Sequence, residues 1–149
     1  MNLRLLIRVV GLLLGLIGVA MASCWAFAAL GGETQAAQGF SWSAGTTFVF
    51  GLILSVAGYS KDSAALRKEG IAIVGVGWLA CGLFGALPFM LCEPQLPFFD
   101  AFFESMSGFS TTGATVIDDI ETIPRSLALW RSISQWLGGG GILVLLVAL

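Results

Sequence analysis

FFDAFFESMSGFSTTG, Phe98 to Gly113, runs on into Ala114-Thr115-Val116 and decides how the rest of the chain is read. Pro97 suits the first turn of a helix, where its missing N–H costs nothing, and Asp100 and Glu104 lie near that positive end. A helix is therefore expected from about Pro97 to about Gly108, with Phe98, Phe99, Phe102, Phe103 and Met106 as its apolar surface. It is far too short to cross a hydrocarbon core, which takes about 20 residues. It has to enter and turn back.

Beyond Gly108, Ser110, Thr111, Thr112, Gly113, Ala114 and Thr115 are small and hydroxyl-rich, and they read as a polar strand. Non-helical backbone at membrane depth is tolerated only where it lines a water-filled path or is buried in protein. A Thr-x-Gly core whose backbone carbonyls replace the water shell of an ion has the chemistry of a potassium filter. Taken alone, the string Thr-Thr-Gly-Ala-Thr is more often a surface turn. Its place after a too-short helix and between two spans is what favours the filter. Asp100 and Glu104, one helical turn apart, admit two readings: a proton relay, since intramembrane carboxylates are functional by default, or, favoured near an outer mouth, solvated and helix-stabilising groups.

Composition narrows the class. Of 149 residues, 57% are hydrophobic and 11% charged, which places the chain with integral membrane proteins. The net charge of −2 argues against a nucleic-acid surface, and the absence of histidine removes Ser-His-Asp and Cys-His nucleophiles, HExxH metal sites and histidine proton shuttles. An enzyme is the least expected class, and no cofactor is expected. Cys24, Cys81 and Cys92 form no CxxC pair and are assigned no chemistry.

Outward from the central stretch, four spans are expected. Arg4 and Arg8 precede an apolar run from Val9 to Leu30; Ala20-Met21-Ala22 resembles a cleavage site, but the run is long enough to span and outlasts a signal peptide. Its Gly11 and Gly15 form a GxxxG, given little weight because glycine is common in membrane helices. Gly31 to Ser41 reads as a loop, and about Ala44 to Tyr59 as a second span with Trp42 and Tyr59 at its boundaries. The basic residues of the cluster Lys61, Asp62, Arg67, Lys68 and Glu69 share a side with Arg4 and Arg8, which by the positive-inside rule is the cytoplasm. A third span, about Ile71 to Leu91, carries Gly75, Gly77, Gly82 and Gly85 for another backbone to approach. Asp118, Asp119 and Glu121 follow the strand as a solvated loop. Pro124 opens a last segment through Gly138-Gly139-Gly140-Gly141, whose glycines are expected to let the helix close on the strand.

The order helix, re-entrant helix, filter-like strand, helix resembles the potassium-translocating subunits of the bacterial Trk uptake system, in the wider Trk/Ktr/HKT superfamily. The words that carry the resemblance are Ala86-Leu87-Pro88-Phe89, Asp100-Ala101-Phe102-Phe103-Glu104-Ser105, Thr111-Thr112-Gly113-Ala114-Thr115 and Gln135-Trp136-Leu137-Gly138-Gly139. Where that family commonly writes Gly-Gly-Met-Gly, Gly140 stands for the methionine.

The resemblance implies an all-α integral membrane protein of about four transmembrane helices plus a re-entrant pore helix and filter strand. Residues 1–69 would be an N-terminal helix pair with its cytoplasmic loop, and 70–149 the first of four helix–pore–helix units that build one pore. It implies potassium coordination at Thr111, Thr112, Gly113 and Ala114, a bacterial inner-membrane location, a homodimer in the full-length form and cytoplasmic nucleotide-binding regulatory subunits. The chain is then expected to be a fragment supplying one quarter of a filter. A structural or assembly subunit and a small homotetrameric cation channel are the alternatives.

Overall fold

A computed structural model describes residues 3–59 and 67–148, with the backbone alone for 67–69 and 142–148. Lys61 and Asp62 and the side chains of Arg67, Lys68 and Glu69 lie outside the described residues. The elements are α1 (Leu3–Leu30), α2 (Thr34–Ala57), α3 (Arg67–Gly85), α4 (Leu87–Leu91), α5 (Phe98–Phe109), a short 3-10 turn (Ile120–Thr122) and α6 (Arg125–Ala148). Among the described residues, three helices are long and apolar enough to cross a membrane: α1, α2 and the α3–α4 stretch from Gly70 to Leu91.

Helices α1 and α2 form a hairpin in which α1 also packs against α3 and α6. Apolar side chains gain little from meeting one another in lipid, so close packing decides such contacts. A Cβ on Gly51 would fall 2.7 Å from the Gly15 nitrogen and 2.8 Å from the Gly11 carbonyl oxygen. A Cβ on Gly11 would fall 2.7 Å from the Gly51 carbonyl oxygen, whereas one on Gly15 meets nothing within 4 Å among the described residues, so Gly11 and Gly51 set the register and the little weight given to the GxxxG is corrected for Gly11 alone. Leu14, Ile17, Met21, Cys24 and Ala28, spaced three and four apart, bury the other contact stripe of α1.

The loop expected over Gly31 to Ser41 shrinks to a turn, with Gly32 at a φ of +76° and α2 starting at Thr34. The extra turns are helical because they have a partner. Gln35 Nε2 donates to the Leu91 carbonyl (3.0 Å), the Glu93 N–H donates to Gln35 Oε1 (3.2 Å), and a Cβ on Gly39 would meet Cys92 Sγ at 2.7 Å. Pro88, without an N–H, coincides with the break between α3 and α4.

The glycines of α3 admit side chains instead of the expected backbone. Met106 and Phe102 reach Gly82, Phe109 and Ser105 reach Gly85, and no neighbour lies within 4 Å of a Cβ on Gly75. Helix α6 runs unbroken through its four glycines. Gly138 is the close one: its Cβ would fall 2.6 Å from the Phe109 carbonyl carbon, at the end of α5 rather than on the strand. At Gly139 the nearest atom is Thr111 Cγ2, 3.7 Å away, and at Gly140 and Gly141 nothing lies within 4 Å. The packing reason holds for Gly138, and among the described residues nothing supplies one for Gly140 and Gly141.

Candidate functional site

Pro97 is the residue before the first turn of α5, and the helix ends at Phe109 with Ser110 as its cap. Its 12 residues rise only about 18 Å, short of a hydrocarbon core of about 30 Å. Phe98, Phe99 and Phe103 point outward, with Phe99 81% exposed and the other two nearly half exposed, while Phe102 and Phe109 pack on Gly82 and Gly85 of α3. Ala101, Glu104, Ser105 and Gly108 form the buried face. This inverts the arrangement of a water-soluble helix and suits a lipid-embedded one, where polar groups must be satisfied inside the protein.

From Ser110 to Val116 the backbone is exposed and irregular. The expected strand is absent: among the described residues no strand is formed, and this segment has no neighbouring strand to pair with. Its backbone turns locally instead. Thr111 has a φ of +59° and Gly113 of +74°, while Thr112 between them does not share that left-handed form. The N–H groups of Thr112 and Gly113 both donate to the Ser107 carbonyl, at 3.0 and 3.3 Å, and the hydroxyls of Ser110 and Thr112 pair at 2.8 Å. Ser107 Oγ donates to the Ala114 carbonyl at 2.6 Å. Thr111, Thr112, Gly113 and Ala114 thus lie together on one exposed loop, and of the four only Ala114 has its carbonyl engaged by a side chain of α5.

Glu104 departs from the favoured reading of a solvated carboxylate. It is 2% exposed. Its Oε1 accepts from the Thr115 hydroxyl (2.5 Å) and the Val116 N–H (2.6 Å), and its Oε2 lies 3.5 Å from Arg131 Nε on α6. The carboxylate is enclosed by structural partners, which also leaves it unsuited to a proton relay with Asp100, a half-buried residue in the first turn of α5. The sequence reading missed this pair, and two signals could have found it: Arg131 is a charge set inside an otherwise uncharged stretch of α6, and Glu104 shares the small-residue face of α5.

Helix α6 is anchored at three further places. Trp130 Nε1 donates to the Gly85 carbonyl (3.1 Å) at the α3–α4 break, and its ring meets Phe109 edge to face at 6.1 Å. At its start, Glu33 from the α1–α2 turn accepts from the Arg125 N–H (2.9 Å), the Ser126 N–H (3.1 Å) and the Ser126 hydroxyl (2.6 Å). A lone loop charge in the sequence is thus the cap of a helix about ninety positions away. Burial works to raise the Glu33 pKa, but these hydrogen bonds and the Arg125 charge outweigh it and hold the carboxyl below 4.5. Asp118, Asp119 and Glu121 stay exposed, with Asp119 Oδ1 accepting the Glu121 N–H at 3.0 Å to start the 3-10 turn. The three cysteines are free and buried.

Membrane-length helices around a short helix with an inverted face, followed by an irregular exposed loop, define an all-helical, multi-pass membrane protein. Comparison with known proteins narrows that class. The family model for TrkH, cation transport protein, matches residues 44–149, and the chain belongs to that family. The chain is 37% identical over 150 positions to the Trk system potassium uptake protein TrkH of Halomonas elongata, covering 100% of this chain and 31% of the relative. It is 41% identical over 90 positions to the Trk system potassium uptake protein TrkG of Escherichia coli, covering 59% of this chain and 19% of the relative. The crystal structure of the potassium transporter TrkH from Vibrio parahaemolyticus superposes with a TM-score of 0.91 at 36% identity, over 99% of this chain and 32% of that one. The chain spans about a third of the length of these TrkH relatives.

Proposed function

We propose that this chain is part of a potassium uptake transporter, with α5 as its re-entrant pore helix, α6 as a fourth transmembrane helix, and Thr111, Thr112, Gly113 and Ala114 as one quarter of the selectivity filter. The observation that carries the reading is the exposed 110–116 loop: irregular backbone, turned by Thr111 and Gly113, at the end of a helix too short to span. Such backbone belongs where it lines a path for ions. In this reading Thr111, Thr112 and Gly113 present oxygens to a dehydrated potassium ion, and the Ala114 carbonyl is held back by Ser107. Residues 1–69 form the N-terminal helix pair and 70–149 the first helix–pore–helix unit. Arg8 stacks over Tyr59 at 5.0 Å, which puts the start of α1 and the end of α2 at one face; the positive-inside rule makes it the cytoplasmic face of the inner membrane. A homodimer with cytoplasmic nucleotide-binding regulatory subunits is the assembly proposed for the full-length form.

The test is a chimera in which this chain replaces the matching third of the Vibrio parahaemolyticus transporter, assayed for rubidium and sodium flux in cells lacking potassium uptake. The chimera should carry rubidium in preference to sodium. Gly113→Ala should lower the rate or the preference, because alanine strains a φ of +74° while its Cβ meets nothing within 4 Å. Asp119→Asn should change much less. A membrane-inserted chimera that carries no rubidium, or a Gly113→Ala form with unchanged rate and preference, would count against the site. The chain reconstituted alone in liposomes should not conduct, since one loop surrounds an ion on one side only. Selective flux from a stable tetramer would favour the small-channel reading instead.

A further inference from the structure

We infer that Glu104 is the positioning residue of the ion-path loop and that Arg131 fixes Glu104, so that ion preference is governed by a charge pair that no ion touches. The inference rests on the reading of Thr111 to Ala114 as an ion path. A dehydrated ion is discriminated by where the oxygens around it are held. The loop is open on its outer side, so whatever fixes those oxygens must act from behind.

Two side chains of α5 reach it from there. Ser107 holds the Ala114 carbonyl, and Glu104 takes the Thr115 hydroxyl and the Val116 N–H on a single carboxylate oxygen. The Thr115 hydroxyl in turn accepts the Ile117 N–H at 3.1 Å, so one carboxylate oxygen orders three consecutive residues. The other oxygen faces Arg131 of α6, and Glu104 Oε2 and Arg131 Nη1 are both buried without a hydrogen-bond partner among the described residues. Among the described residues each is the other's ion-pair partner, at 3.5 Å. Removing one partner of such a buried pair leaves an uncompensated charge, whereas removing both does not. The pair also joins α5, the loop and α6 at one point, so displacement of α6 at Arg131 reaches the loop through Glu104.

The experiment uses the chimera and compares rubidium-to-sodium flux ratios per inserted molecule. Glu104→Gln keeps an oxygen for Thr115 and Val116 but loses the charge facing Arg131. Arg131→Met removes the other charge at similar length. Loss of an outer partner that orients metal ligands typically costs about 10–100-fold in affinity or activity, and each single variant is expected to lower the flux ratio by about tenfold or more. The double variant Glu104→Gln/Arg131→Met should recover part of that loss. Where a single variant does not accumulate in the membrane, Thr115→Val, which removes one hydroxyl from the same carboxylate oxygen, should lower the ratio to a smaller extent.

A purely structural role predicts less inserted protein with an unchanged ratio, and that result overturns the inference. So does a double variant no better than the worse single one. Gly113→Ala is measured beside them. If it leaves both the rate and the ratio unchanged the ion path itself is misplaced, and if it changes either one while the Glu104, Arg131 and Thr115 variants leave the ratio unchanged, only the positioning role falls.

Discussion

Where Gly51 meets Gly11 and Gly15 in the α1–α2 hairpin, backbone rests on backbone and shape alone sets the register. Where α5 meets the loop at 110–117, almost nothing is close-packed on the loop's outer side, and Ser107, Glu104 and Thr115 set its course by hydrogen bonds. The need to satisfy backbone polar groups explains the difference. A helix satisfies its own backbone and has only packing left to specify, while an irregular segment leaves carbonyls and N–H groups that must each find a partner. The hairpin should therefore fail when volume is added, and the loop when a donor or acceptor is removed without any change in volume.

The largest effect is expected at Gly51. Gly51→Ala places a methyl 2.7 to 3.1 Å from three backbone atoms of α1, and forcing helices apart costs about 1–3 kcal/mol or more. Thermal unfolding in detergent should show a clear loss of stability. Gly45→Ala in the same helix meets nothing within 4 Å and should be neutral, or stabilising by up to about 1 kcal/mol. Equal effects at the two positions would break the argument from shape.

Next in size is Trp130→Phe. It leaves the buried Gly85 carbonyl without the 3.1 Å donor at the α3–α4 break, an expected loss of about 1–3 kcal/mol in the same assay. This position sharpens the comparison, because here α6 is held by packing and by a hydrogen bond together.

Ser107→Ala removes one hydroxyl and no bulk. Stability should fall by about 1 kcal/mol, while the rubidium-to-sodium ratio of the chimera should fall measurably. A variant with normal flux ratios would mean that the Ala114 carbonyl holds its place unaided.

The smallest effect belongs to the cap at Glu33. Its folded pKa is lowered, so the cap's stabilisation is fully present above the unfolded value of 4.5 and is lost as the pH falls through the lower folded value. Amide exchange at Arg125 and Ser126, corrected for the intrinsic rate, should show protection near neutral pH that fades as the pH falls through the lowered folded value of Glu33. In Glu33→Gln that pH dependence should disappear. Its persistence would assign it to another group.

Much of this was legible in the chain before folding. The length of Phe98 to Gly108 against the thickness of a bilayer excludes a span, and the hydroxyl-rich run after it announces non-helical backbone, though the strand read there is an irregular loop for want of a neighbouring strand. The third span was read as continuous from about Ile71 to Leu91, and its division into α3 and α4 came only with the structure. Other readings failed for want of a partner. Gly31 to Ser41 looks like a loop until Leu91 and Glu93 are set against Gln35, and Glu33 looks like a solvated charge until the start of α6 is brought to it. The phenylalanines of α5 announce an apolar surface without saying that Phe98, Phe99 and Phe103 face away from the rest of the chain while Phe102 and Phe109 pack on α3.

Sequence by itself determined membrane residence, the start of α5 at Pro97 and the hydroxyl-rich chemistry of residues 110–116, because each follows from the cost of placing local backbone and side chains in hydrocarbon. Tertiary structure alone decided that Gly11 and Gly51 meet, that Glu33 caps α6, and that Glu104 and Arg131 face each other behind the loop. Those contacts join residues far apart along the chain, and a charge or a glycine carries no record of its partner until packing brings the two within a few ångströms.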